Sequence, residues 1–182
     1  MNIKEHLEKR DFDLSKHRVF LDYNSCVAVF PLWNLSKQWV GFHQYRPNGD
    51  KKVPNDRHIG KYYTYRRPDS IVFWGMESWN FSDVLFITEG IFDACRLTKR
   101  GYSALSVLSN DINPQTKNWL WTIQSERPVI SICDNDKAGK ILGNYGHDSY
   151  IMQSKDLGDA PEEEVDYILN RFGHISDIGI KP

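Results

Sequence analysis

The chain has 182 residues, of which 40% are hydrophobic, 13% aromatic and 26% charged, and its net charge is −1. That length holds one domain, or two small ones sharing an interface, and that apolar content suffices for a core, which excludes a disordered chain. No apolar run approaches the ~18 residues of a membrane span. The stretch Met1 to Arg10 is too charged for a signal peptide, so a cytoplasmic protein without a membrane partner is expected.

Cys26, Cys95 and Cys133 are odd in number, widely spaced and form no C-x-x-C pair. A disulfide framework and a thiolate zinc site are disfavoured, and buried reduced cysteines are expected. The charge is unevenly spread. Residues 1–82 hold 13 Lys/Arg against 9 Asp/Glu (+4), and residues 83–182 hold 10 against 15 (−5). A mildly basic half joined to an acidic half suits a phosphate-rich ligand on one side and metal on the other, although so small an excess also occurs on ordinary surfaces.

In chain order, residues 1–18 read as a short charged helix or an arm. Val27 to Leu32 and Gln38 to Arg46 read as two strands of a hairpin, with Pro31 suggesting an edge or a strand end. Pro47-Asn48-Gly49-Asp50 is a turn signal. From Arg46 to Arg67 the chain is basic and tyrosine-rich, carrying Arg46, Lys51, Lys52, Arg57, Lys61, Arg66 and Arg67 among Tyr62, Tyr63 and Tyr65. Cations there can hold phosphates and aromatic faces can stack on unpaired bases. A solvated loop whose tyrosines close a small core fits the same residues.

From Asp83 the pattern becomes an alternation of strand and helix. Val84 to Thr88 is a strand, and Ile91 to Arg100 a helix closed by Gly101. Ala104 to Leu108 is a second strand. Asn113-Pro114 caps a helix running to about Ile123. Val129 to Cys133 is a third strand, followed by a helix from Ala138 to Tyr145 closed by Gly146. Ser149 to Met152 is a fourth, and Pro161 opens a last helix through Phe172 with three glutamates in its first turn. Four units of this kind with short connections predict an α/β protein with a mostly parallel four-stranded sheet flanked by helices.

Three of these strands run into acids. Glu89 ends the first strand just before Gly90, with Asp93 one helical turn on. Asp134 and Asp136 follow the third strand, and Asp156 and Asp159 follow the fourth. Parallel sheets place ligands beyond the carboxyl ends of their strands, so these carboxylates are expected at one rim. Oxygen ligands of hard character there suit Mg²⁺ or Mn²⁺, which would relieve their mutual repulsion. A strand-end Asp can equally be a helix N-cap, the plainer account of Asp134 or Asp136. Lys137 and Lys140 could offset that charge, contact phosphate, or lie on an ordinary surface.

The order Glu-Gly-x-x-Asp-Ala (Glu89 to Ala94), Asp-x-Asp-x-Ala-Gly (Asp134 to Gly139) and Lys-Asp (Lys155, Asp156) resembles the toprim domain of primases, topoisomerases and some nucleases. The second of these motifs is most similar to bacterial and phage DnaG-type primases. More loosely, Phe30-Pro31-Leu32, Val40-Gly41-Phe42, Arg46 and Gly60-Lys61-Tyr62 resemble the basic α+β subdomain that precedes toprim in primases. The resemblance implies a basic subdomain over 1–82 and a toprim catalytic domain over 83–182.

It also implies Mg²⁺- or Mn²⁺-dependent synthesis of short RNA primers from ribonucleoside triphosphates on a single-stranded DNA template. Glu89, Asp134 and Asp136 would be catalytic. Metal would be held by these with Asp93, Asp156 and Asp159. Arg46, Lys51, Lys52, Lys61, Arg66, Arg67, Lys137 and Lys140 would face nucleic acid or nucleotide. The sequence departs from the family at Gly158, where many primases have an aspartate that here falls at Asp159, and at Lys140, where arginine is usual. No zinc-binding module, C-terminal helical subdomain or P-loop helicase is recognised, so a separate helicase or zinc module is an expected partner, as for a small phage protein or a split system. A metal-dependent toprim nuclease, or a non-catalytic nucleic-acid-binding replication accessory protein, is the alternative.

Overall fold

Among the residues that the computed structural model describes (2–51, 53, 56–68, 70–79, 84–108, 112–137 and 139–174), the chain forms two four-stranded sheets. The first is antiparallel and built from β1 (Phe20–Asp22), β2 (Val27–Trp33), β3 (Trp39–Tyr45) and β4 (Tyr62–Arg66), in that spatial order. β2 and β3 form the expected hairpin. Pro31 suggests an edge, yet β2 lies between β1 and β3; its pairing with β1 stops at Val29, so the proline meets a strand ladder only towards β3. β1 carries no sequence signal, being three residues long with Phe20 largely exposed. β4 places Tyr62, Tyr63 and Tyr65 on a strand, while the described residues between Arg46 and Lys61 are turns with a 3₁₀ turn at Arg57–Ile59.

The second sheet is parallel: β5 (Leu85–Thr88), β6 (Ser103–Ser106), β7 (Val129–Cys133) and β8 (Asp148–Ile151), in the order β6-β5-β7-β8. β5 and β7 are buried throughout, as continuous apolar runs in a sheet covered on both faces should be. Their side chains alternate between two cores. Phe86, Ile130 and Ile132 meet α2 (Ile91–Lys99) and α5 (Glu162–Phe172), whereas Leu85, Ile87 and Val129 meet α3 (Pro114–Gln124). The helix expected from Ala138 is, among the described residues, α4 (Gly139–Leu142) followed by a 3₁₀ turn to Tyr145. Ala138, Lys52 and the boundary expected at residue 82 lie outside the described residues.

The first core is continuous across both sheets, since Phe30 and Tyr45 of the antiparallel sheet lie in one apolar cluster with Phe92, Phe86 and Ile130. Residues 73 and 74 staple the sheets at their edges. Phe73 bridges Trp33, and Trp74 exchanges two 3.0 Å backbone hydrogen bonds with Ser106. The N-terminal segment, with α1 (Ile3–Glu8), closes this core through fully buried Ile3 and Leu7. Arg96 of α2 anchors that segment. Its guanidinium lies 3.2 Å from Asp11 and 2.7 Å from Glu162 and donates to the Ala160 carbonyl.

Cys95 and Cys133 are buried and reduced, as expected, while Cys26 is only half-buried. No described helix is long and apolar enough to cross a membrane. The Asn113 cap is realised. Its Oδ1 accepts from the Thr116 N–H at 2.8 Å while Pro114 begins the helix. We expect Asn113→Ala to destabilise the fold by about 1 kcal/mol. An unchanged urea midpoint would show that α3 does not depend on this cap.

Candidate active site

The strand order reverses direction about β5: β6 follows on one side and β7 on the other. A crevice opens beyond the carboxyl ends of strands at such a reversal. Glu89 and Asp134, the residues directly after β5 and β7, therefore stand on its two lips. A cavity of about 470 Å³ occupies this place, between the parallel sheet and the inner face of β3 and β4. All six predicted carboxylates, Glu89, Asp93, Asp134, Asp136, Asp156 and Asp159, line it.

Each acid is positioned differently. The Glu89 carbonyl accepts from Ser106 Oγ (2.8 Å) and the Leu108 N–H (3.0 Å), which clamps the end of β5. Leu108, itself on the cavity wall, holds φ at +61°, an unfavourable angle for a branched side chain. Gly90 is extended rather than left-handed; what it provides is room, because a Cβ there would lie 2.6 Å from the Asp93 carboxylate.

Asp93 is buried. One of its oxygens accepts from the Gly90 N–H (2.9 Å) and the other from the Gly158 N–H (2.7 Å), tying α2 to the turn after β8. Burial, and then the charges of Asp134 and Asp156, push its carboxyl up to about 7.

The chain leaves β7 and turns at once, with the Asp136 N–H donating to the Asp134 carbonyl at 2.8 Å. The Asp136 carboxylate also accepts from the Gly139 N–H at 2.7 Å, so the capping role holds for this residue even as it lines the cavity. Gly139 is required by close approach, since a Cβ there would sit 2.2 Å from the Asp134 carbonyl oxygen. Burial, then Asp156 and Asp136, raise the Asp134 carboxyl to about 6, and Lys155 and Lys51 oppose that rise. Asp156 caps the next turn by accepting from the Asp159 N–H (2.9 Å) and lies 3.3 Å from Lys155 Nζ. Asp159 is largely exposed and pairs with Arg10 at 3.3 Å.

Of the predicted cations, the cavity gathers Lys51 and Lys61. Arg46, Arg66, Arg67, Lys137 and Lys140 are not among the residues that line it. Two cations on its wall were not predicted, Arg10 and Lys155. Arg10 arrives from the N-terminal segment, with its guanidinium 4.3 Å from the centre of the Phe92 ring. Nothing local in the sequence marks Arg10, whereas Lys155 adjoins Asp156 and could have been read from that motif.

The wall facing the acids is aromatic. His43 is buried and held neutral, its pKa lowered to about 4 by desolvation, with Nδ1 2.7 Å from Thr64 Oγ1. Tyr62 stacks on both His43 and Tyr45 (5.9 and 5.4 Å between ring centres). Burial first, and then Tyr45, raises its hydroxyl to about 12, so it remains a donor.

The donor set fits a hard divalent cation in its chemistry. Every donor is a carboxylate oxygen, and the repulsion from neighbouring carboxylates, which adds to burial in raising Asp93 and Asp134, is what a cation would relieve. Among the described residues, no three such groups already converge as a ligand set.

This two-sheet arrangement, with its cleft at the strand-order reversal, is the fold of DnaG-type primase catalytic cores. The primase fragment of the bacteriophage T7 primase-helicase protein superposes with a TM-score of 0.63 at 15% identity, covering 93% of this chain and 70% of that one. The RNA polymerase domain of Mycobacterium tuberculosis primase DnaG, solved with double-stranded DNA, gives 0.57 at 15% identity over 92% of this chain and 63% of that one. The E. coli primase catalytic core gives 0.55 at 18% identity over 80% and 52%. The chain thus spans between about half and 70% of the length of these structures. No family model matches the sequence, and no curated protein does.

Proposed function

We propose that the chain is a primase-like nucleotidyltransferase core that makes short RNA primers on single-stranded DNA. The observation that carries this reading is the cavity itself. Six carboxylates on the parallel sheet face Lys51, Lys61 and a tyrosine-rich strand on the antiparallel sheet, in a fold shared with primase cores. Residues 1–82 then act as the basic subdomain and 83–182 as the toprim domain.

In this reading Glu89, Asp134, Asp136 and Asp156 hold Mg²⁺ or Mn²⁺, which when bound supplies charge neutralisation for in-line phosphoryl transfer. Asp93, with both oxygens on backbone N–H groups, positions α2 and the turn at Gly158 beneath that set. Asp159 restrains Arg10 at the cavity mouth. Lys51, Lys61 and Arg10 orient the triphosphate, and Tyr62 presents its ring to the bound nucleotide. Arg46, Arg66, Arg67, Lys137 and Lys140 bind template outside the cavity. Among the similar structures, one is from a primase-helicase and another includes a zinc-binding domain, so a helicase or zinc module is the proposed partner.

The test is incubation with single-stranded DNA, labelled ribonucleotides and Mg²⁺ or Mn²⁺. Labelled oligoribonucleotides are expected. Cut template without synthesis would replace this reading by a nuclease, and DNA binding with neither product would leave a replication accessory protein.

A further inference from the structure

The antiparallel sheet has a second face, turned away from the acidic cavity. Strand alternation sends Gly41, His43 and Tyr45 inward, where they are buried, and Phe42 and Gln44 outward, where they are half-buried. On β4 the outward residues are Tyr63 and Tyr65, paired across the ladder with Gln44 and Phe42. Tyr65 lies nearly parallel to Phe42 with ring centres 5.7 Å apart, Tyr63 is 6.0 Å from Phe42, and His58 is 4.2 Å from Tyr63. Tyr65 remains 53% exposed. The same alternation puts Arg46 at one end of this row, after Phe42 and Gln44, and Arg67 at the other, after Tyr63 and Tyr65. Both residues are tied into the ladder, through the Arg46 N–H to Lys61 and the Arg67 N–H to Val40.

We propose that this outer face binds a single-stranded nucleic acid, stacking unpaired bases on Phe42, Tyr63 and Tyr65 and holding the flanking phosphates with Arg46 and Arg67. The two-residue repeat sets Tyr63 and Tyr65 about 6.7 Å apart, roughly twice the ~3.4 Å rise per base of a stacked strand. A stretched single strand can therefore place successive bases on successive rings. Neighbouring aromatics on the face of a four-stranded sheet are a general solution for unpaired bases, because every base has a π-face.

The arginines at either end favour a polyanion over an apolar protein surface. Asp22, an acid that feels the charge of Arg46, accepts hydrogen bonds from the Asn24 and Ser25 N–H groups and so is already engaged locally. The proposal stands apart from the cavity chemistry: it would hold for a template strand entering a primase, for a transcript leaving it, or for an accessory protein.

The experiment is fluorescence anisotropy of labelled dT15 and rU15 with the full chain in EDTA, so that no cation bridges the cavity. Tyr65→Ala is expected to weaken binding about fivefold or more. Tyr65→Phe should retain it, because the ring and not the hydroxyl does the stacking. Arg67→Ala should lower the salt dependence by about one phosphate contact. Tyr63 is packed between Phe42 and His58 and its replacement could unsettle the strand, so photocrosslinking of 4-thiothymidine-substituted dT15 to the unmodified chain provides a second measurement, with adducts expected on the peptide containing Tyr63 and Tyr65. Tighter binding of dT15 assigns the face to a template-like strand, and of rU15 to a transcript. Wild-type affinity in both Tyr65→Ala and Arg67→Ala, or adducts confined to cavity residues, would overturn the proposal. So would a change in sedimentation on Tyr65→Ala with oligonucleotide affinity unaltered, which would make the face a contact between copies.

Discussion

Glu89→Gln is expected to reduce primer synthesis by at least about 100-fold, the usual cost of removing one preorganised charge from a polar active site, while leaving the melting temperature close to wild type. The change is isosteric and removes only the charge. The backbone clamp at this residue uses its carbonyl, held by Ser106 and Leu108, and so survives the substitution. Asp159→Asn is the contrast. Its carboxylate is largely exposed and already paired with Arg10, so a loss of less than about tenfold is expected. Synthesis by Glu89→Gln within a few-fold of wild type, in protein with a native melt, would remove Glu89 from the catalytic set.

The metal-free protein is expected to lose stability as the pH rises from about 4 to about 7. Asp93 has a folded pKa near 7 against an ordinary 3.8, so between those values the folded state binds more protons than the unfolded state. Stability then falls with rising pH, and the loss is complete once the pH passes the folded pKa. At ~1.4 kcal/mol per pK unit the effect is on the order of 4 kcal/mol for this buried group. Asp134, raised to about 6 but partly exposed, adds a smaller contribution of the same sign. Asp13 and Glu164 act oppositely. Hydrogen bonds hold them below their ordinary 3.8 and 4.5, so their contributions are lost only as the pH falls below those values.

Urea unfolding in EDTA from pH 4.5 to 8 measures the slope, and Asp93→Asn should flatten it. Mg²⁺ at pH 8 should restore stability by about 2.7 kcal/mol at a hundredfold excess over its dissociation constant. A flat profile in EDTA would show that Asp93 titrates normally in the folded protein. Mg²⁺ without effect at pH 8 would remove the proposed metal site.

The parallel sheet was legible because its information is local. Continuous apolar runs, an Asn-Pro cap at Asn113 and acids at three strand ends each specify an element within a few residues, and the strand ends shift by at most two positions. The meeting of the six carboxylates follows from the same locality. Once the strands are parallel, their carboxyl ends must share one rim, and the order reversal at β5 sets Glu89 against Asp134. The sequence alone thus determined which acids meet at this rim and the side of the sheet on which they stand.

Tertiary structure decided what the acids face and which of them are already engaged. Arg10 reaches the cavity only because Ile3 and Leu7 bury the N-terminal segment against the shared core, a contact between residues about eighty positions apart. Lys137 and Lys140, adjacent in sequence to Asp134 and Asp136, lie off the cavity wall, while Lys51 and Lys155, from other elements, oppose the rise of the Asp134 carboxyl. Asp93 is a carboxylic acid like Glu89, one helical turn away, yet it is buried with one oxygen on each of two backbone N–H groups. Charge and periodicity are written residue by residue, but desolvation and long-range pairing exist only once distant segments are packed together. That is why the acids and their common rim could be read from the order of the chain, and their surroundings only from its fold.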